Sequence, residues 1–319
     1  MKPRLIVSRQ IAPDVAARIA IEYDCPYEGR EMSAAEVIAA LHAHQADALL
    51  ITSHVRYGAA EIAAIPDHVK MLATYSVGTD HLDIAACKAR GLPASNTPDV
   101  VTECTADLAL MLMLNACRRG SEYAAIMRSG WRVGYGMGEM MGQRLWGKTL
   151  GILGMGRIGR AVAQRARGFG MRILYHNSRR LPTELEMGAE YIADFRAMLP
   201  LVDVLSLHAP SGPTTTGIMN AETFGRMKPG AVFVNTARGA LVDEDALLAA
   251  LASGQLFAAG LDVFKSEPDY DLRFKDLPNV FLTPHMASAT VDTRNAMGFR
   301  VLDNIAAVLA GGRPLDPLW

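Results

Sequence analysis

"TLGILGMGRIGRAVAQRA", residues 149–166, sets a short apolar run against a glycine turn and then a helical pattern. Leu150–Leu153 reads as a strand, and Gly154-x-Gly156-x-x-Gly159 opens the helix. A tight turn calls for Gly154. Gly156 lets backbone amides approach a pyrophosphate, and Gly159 lets helix and strand pack closely. The helix N-terminus adds free N–H groups and a positive dipole end. Alone, the glycine spacing is a weak signal; between a strand and a helix it is a strong sign of a dinucleotide site. That assigns Gly154, Met155, Gly156, Arg157, Ile158 and Gly159 to a coenzyme.

Similar units extend on both sides. Leu5–Ser8, Ala48–Thr52 and Met71–Ser76 read as strands, with helices over Pro13–Ile21, Ser33–His44 and Asp83–Arg90 between them. After the long apolar helix Thr102–Cys117 and a Gly/Met-rich stretch, Gly130–Gly142, a second strand–helix series begins at Lys148. Its later strands are Arg172–Tyr175, Val204–His208, Ala231–Asn235, Gly260–Val263 and Val280–Leu282, and a final helix covers Ser288–Ala310. Such alternation means parallel sheets with crossover helices, here in two α/β domains.

Composition narrows the function classes. A net charge of −1 gives no basic field for nucleic acid. No run approaches the roughly 20 apolar residues of a membrane span, and no signal-peptide pattern opens the chain. Cys25, Cys87, Cys104 and Cys117 form no CxxC pair, which points to reduced thiols and a cytoplasmic protein. His42 and His44 face different sides of a helix, so no metal site is expected.

"YHNSRR", residues 175–180, lies about 20 residues beyond the glycine loop, where an NAD site usually carries an acid for the ribose hydroxyls. The aligned position is His176. Without a carboxylate, nothing there repels a 2′-phosphate. Asn177 and Ser178 can hydrogen-bond, and Arg179 and Arg180 can pair with phosphate oxygens. NADP(H) is therefore the preferred coenzyme, with NAD(H) as the alternative.

Three further segments follow strand ends, where open α/β sheets bind ligands. "VNTARGALVDEDAL" (234–247) carries Arg238, "AAGLDVFKSEP" (258–268) carries Asp262 and Glu267, and "NVFLTPHMASAT" (279–290) carries His285 and Ser288. Together with "YSVGTDHLD" (75–83) and "GILGMGRIGR" (151–160), they resemble the D-isomer-specific 2-hydroxyacid dehydrogenases over essentially the whole chain, and most closely the glyoxylate/hydroxypyruvate reductase branch.

The resemblance implies a flavodoxin-like substrate domain (1–99 plus 289–319) and a Rossmann coenzyme domain (100–288) with a cleft between them. It also implies a homodimer and a small 2-oxo or 2-hydroxy acid as substrate. It places catalysis on Arg238, Glu267 and His285. It adds Thr105, His208, Ala209, Pro210, Thr236, Ala237 and Asp262 to the coenzyme site, and Val77, Gly78 and Ser288 to the substrate site.

The chemistry of these residue types agrees. Arginine clamps a carboxylate and polarises a carbonyl. Imidazole, which titrates near neutrality, can deliver a proton. Glu267 can orient the imidazole through its other nitrogen. Arg294 either reaches the substrate or packs. Two departures bear on the substrate wall. Gly130-Trp131 has no second Trp nearby, leaving Tyr135, Met137, Met140 and Met141 to build that wall, and Ala287 stands where the family often has glycine. A nucleotide-sensing binding protein or co-repressor on the same scaffold, or another D-2-hydroxyacid specificity, is the alternative.

Overall fold

Buried parallel strands organise the chain, which a computed structural model describes over residues 1–319. Two units emerge: Met1–Val101 with Ser288–Trp319, and Thr102–Ala287.

In the first unit, β1 (Leu5–Val7), β2 (Ala48–Ile51), β3 (Met71–Thr74) and β4 (Ala94–Ser95) lie side by side in that order, all parallel. Every residue of these strands is buried, as expected of a sheet covered by helices on both faces. A single parallel bridge, Arg4 to Asp24, adds chain on the outer side of β1 and completes a flavodoxin-like order. The C-terminal helix Val291–Leu309 packs on β3 and on helix Pro13–Glu22. Gly298 permits the approach: a Cβ there would lie 2.3 Å from Val15 Cγ2.

The second unit contains β5 (Thr149–Leu153), β6 (Arg172–His176), β7 (Glu190–Tyr191), β8 (Val204–Leu207), β9 (Ala231–Asn235), β10 (Leu256–Leu261) and β11 (Val280–Leu282). Their order is β7-β6-β5-β8-β9-β10-β11, all parallel. Chain direction across the sheet reverses between β5 and β8, the switch point at which such sheets bind ligands. Separate apolar cores cover the two faces. One is centred on Phe224, Phe233 and Phe274; the other is built with helices Thr102–Cys117 and Arg157–Arg167.

Several boundaries differ from the sequence reading. Helix Gly120–Arg128 follows Arg119, whose left-handed φ of 56° turns the chain after Cys117. None of its residues is buried, and the sequence reading has no helix between Cys117 and Gly130. The last helix starts at Val291 instead of Ser288, because Thr290 caps it by accepting from Thr293 N. Strand β10 ends at Leu261, so Asp262 sits just past the strand instead of within it. The two-residue strands β4 and β7 are too short to leave a pattern.

Gly260 marks the tightest packing of the long helix on the sheet, since a Cβ there would lie 2.8 Å from Leu112 Cβ. Gly260→Val should therefore overpack this interface and cost on the order of 1–3 kcal/mol. Urea denaturation should show a lower midpoint at unchanged slope; an unchanged midpoint would mean that the helix can shift freely.

Candidate active site

Sterics dictate the glycine loop. Gly154 has a φ of 96°, and a Cβ on it would lie 2.5 Å from Ala209 N and 2.7 Å from the His208 carbonyl carbon. The β5 turn therefore closes directly onto the end of β8. A Cβ on Gly159 would lie 2.3 Å from Gly154 O. Gly156 is different: nothing lies within 4 Å of where its Cβ would stand. It leaves open space at the N-terminus of helix Arg157–Arg167, the shape a pyrophosphate requires.

Met155 belongs to the scaffold of this loop. Its side chain is 1% exposed, and its N–H donates to Asn177 Oδ1 at 2.6 Å. Asn177 thus ties the β5 loop to the end of β6.

The arginine-rich edge after β6 is not free of acid. An acid does reach it, supplied by Glu186 from the next short helix. Arg180 grips both Glu186 carboxylate oxygens, at 2.8 and 3.0 Å. Tyr175 donates its hydroxyl hydrogen to Glu186 Oε1 at 2.6 Å and accepts from Leu181 N at 3.0 Å. Glu186 is 4% exposed, and these partners hold its carboxyl down to about 2. Arg180 is therefore committed to the loop's own structure. Ser178 and Arg179 remain exposed beside it.

The three catalytic candidates come from the ends of β9, β10 and β11. Asn235 is buried and clamps the turn after β9, donating to Arg238 O at 2.9 Å and accepting from Ala237 N at 3.0 Å. Gly239 is obligatory, because a Cβ there would fall 1.8 Å from the Phe264 carbonyl carbon. The Arg238 turn thus lies against the chain after β10. Glu267 accepts from Phe264 N on Oε1 at 2.8 Å, and its Oε2 lies 2.6 Å from His285 Nδ1. Burial pushes the Glu267 carboxyl up, but the bonds from His285 and Phe264 N and the nearby Arg238 charge outweigh it, and the net shift is downward. An ionised Glu267 requires hydrogen on Nδ1, which leaves Nε2 as the chemically available nitrogen.

His285 has a left-handed φ of 54°, a conformation that its loop must enforce. Asp262 does this. It is fully buried and accepts from Thr283 Oγ1 at 2.6 Å, Met286 N at 2.8 Å and Ala287 N at 3.1 Å. Burial raises its carboxyl while these bonds oppose the rise. Cys104 donates to Ala287 O at 2.6 Å and steadies the same loop from the long helix.

His208, at the end of β8, contacts Ser206 Oγ at 2.8 Å and Thr236 Oγ1 at 3.5 Å. Desolvation lowers its imidazole to about 4, so it stays neutral. Thr105, Ala209 and Ala237 are buried, while Pro210 is exposed.

In the first unit, Val77 and Gly78 follow β3, and the N–H groups of Val77, Gly78 and Thr79 find no backbone acceptor. Ser288 O accepts from Arg294 Nε at 3.2 Å. Trp131, Tyr135, Met137 and Met141 are exposed. No helix is long and apolar enough to cross a membrane.

Residues 110–287 match the family model for the D-isomer specific 2-hydroxyacid dehydrogenase, NAD binding domain. A glyoxylate reductase of Thermococcus litoralis is 40% identical, with the alignment covering 98% of this chain and 96% of that protein. The chain belongs to the D-isomer specific 2-hydroxyacid dehydrogenase family. A glycerate dehydrogenase of Hyphomicrobium methylovorum is 39% identical over 97% of each chain. Among solved structures, the NADPH-dependent glyoxylate/hydroxypyruvate reductase of Sinorhizobium meliloti, in complex with NADP and malonate, superposes with a TM-score of 0.87 at 34% identity. That match covers 100% of this chain and 97% of the other.

The lowered Glu267 carboxyl has a testable sign. A group depressed on folding contributes stability above its ordinary value of 4.5, and that stability is lost as pH falls through the folded value. Glu267→Gln should lower the melting temperature near neutral pH, and the gap to the parent should close below about pH 4.5. A gap independent of pH would contradict this.

Proposed function

We infer that the protein reduces a small 2-oxo acid, such as glyoxylate or hydroxypyruvate, to the D-2-hydroxy acid, with NADPH preferred over NADH. The observation that carries this reading is the 2.6 Å contact between His285 Nδ1 and Glu267 Oε2. It leaves His285 Nε2 free to act in a site that also holds Arg238.

The open space at Gly156 and the helix beginning at Arg157 fit a dinucleotide pyrophosphate. Ile158, His208, Ala209, Pro210, Thr236, Ala237 and Thr105 would hold the rest of the coenzyme. When bound, the reduced coenzyme supplies the hydride. Arg238 clamps the substrate carboxylate and draws electron density toward the carbonyl oxygen. His285 Nε2 passes a proton to that oxygen, which becomes the hydroxyl. Glu267 holds the ring and stabilises its positive charge until the proton leaves. The amides of Val77 and Gly78 serve the substrate carboxylate, with Ser288 as a further contact. Exposed Trp131, Val133, Met137 and Met141 support a homodimer, because an apolar surface of this kind is usually covered.

Coenzyme preference falls to Arg179 and Ser178, since Arg180 is engaged by Glu186. Absorbance at 340 nm should fall when NADPH is mixed with the enzyme and glyoxylate or hydroxypyruvate. Arg179→Ala should cut kcat/KM for NADPH about tenfold or more and leave that for NADH nearly unchanged. Arg180→Ala should lower both together by loosening the loop. No turnover with any small 2-oxo acid would overturn the assignment, and equal losses for both coenzymes in Arg179→Ala would make Arg179 part of a solvated loop with no role in selecting the coenzyme.

A further inference from the structure

The loop after β3 carries a hydrogen-bond arrangement that its sequence does not advertise. Three consecutive carbonyls are anchored toward the interior of the first unit. Ser76 O accepts from Thr97 N at 2.9 Å, Val77 O from Asn96 Nδ2 at 2.8 Å, and Gly78 O from Ser76 Oγ at 2.7 Å. In a trans peptide the N–H points opposite to the C=O. Fixing these carbonyls therefore turns the N–H groups of Val77, Gly78 and Thr79 the other way, and none of the three has a backbone acceptor.

Counting hydrogens assigns the rest. Ser76 has one hydroxyl hydrogen, and it goes to Gly78 O, which can only accept. Ser76 Oγ must then accept at its 2.8 Å contact with Thr74 Oγ1, so Thr74 is the donor there. Thr74 has now spent its own hydrogen. At its 2.8 Å contact with His81 Nε2 it must accept, so His81 carries hydrogen on Nε2. The relay runs one way: His81 Nε2–H to Thr74, Thr74 to Ser76, Ser76 to Gly78 O. All three side chains are buried, so no water competes for these bonds.

We propose that His81, acting through Thr74 and Ser76, is a positioning residue that sets the Gly78–Thr79 peptide plane so that this loop presents its N–H groups to the carboxylate of the 2-oxo acid. The proposal rests on the reading of the protein as a 2-oxo acid reductase. His81 acts without touching the substrate. A donor at Nε2 is the property required, and glutamine can supply one while leucine cannot.

The test compares His81→Leu, His81→Gln and Ser76→Ala in the full-length enzyme, with glyoxylate and NADPH. Ser76→Ala removes a single hydroxyl and carries the test even where His81→Leu fails to fold. His81→Leu and Ser76→Ala should each raise KM for glyoxylate about tenfold, the scale of one misaligned charge-assisted hydrogen bond. In both, kcat and KM for NADPH should stay within about twofold, the pattern of an interaction lost equally from the bound substrate and the transition state. His81→Gln should restore most of the affinity. An unchanged KM in Ser76→Ala, or His81→Gln as impaired as a folded His81→Leu, would overturn the proposal. Ring 15N spectra give a readout independent of turnover: His81 should show its hydrogen on Nε2, and the Gly78 and Thr79 amide signals should move in Ser76→Ala. If the parent enzyme reduces no 2-oxo acid, the functional reading fails on that result, while these spectra still decide the relay. A ring without hydrogen on Nε2 would refute it.

Discussion

The chemistry of the second unit hangs on one buried carboxylate. Asp262 has no exposed surface, and an acid in that position is tolerable only if its oxygens are saturated with donors. Thr283, Met286 and Ala287 provide them, and in doing so they fold the loop that forces His285 into its left-handed conformation. His285 then meets Glu267, whose other oxygen is fixed by Phe264 N. The same Phe264 backbone leaves no room for a side chain at Gly239, which locates the Arg238 turn. The ends of β9, β10 and β11 are thus one connected assembly, and a disturbance at Asp262 would reach all three functional side chains.

The glycine loop and the loop after β3 use the same device, in which interior groups dictate where backbone atoms point. At the β5–β8 switch point, contact with Ala209 and His208 demands glycine at 154, while the space beside Gly156 stays open. In the first unit, buried donors hold three carbonyls inward and turn three amides outward. Backbone amides fixed in this way bind anions without the entropy cost of ordering a long side chain.

Much of this was legible in the sequence, for physical reasons. The glycine loop is a local motif whose spacing carries its geometry. Arg238, Glu267 and His285 follow apolar runs, so the sequence pattern alone puts them beyond strand ends. Pairings that depend on the third dimension could not. Glu186 lies six residues from Arg180 with no helical or strand period connecting them, so the acid at the coenzyme edge was invisible and both arginines looked available. Met155 sits inside the glycine motif, yet its side chain turns into the core and its amide is taken by Asn177. Asp262 reads as a coenzyme contact in the sequence; only the donors around it reveal its part in holding the His285 loop. Helix Gly120–Arg128 depends on the backbone turn at Arg119, which no periodicity announces.

The most direct test of the account is the fate of the transferred hydride. The enzyme would reduce hydroxypyruvate with NADPH deuterated at nicotinamide C4, on the transferred face, and the product would be analysed by NMR and chiral chromatography. The account predicts D-glycerate carrying deuterium at C2, and the same assay with His285→Ala should yield almost none. L-glycerate, loss of the label to solvent, or full activity in His285→Ala would contradict it.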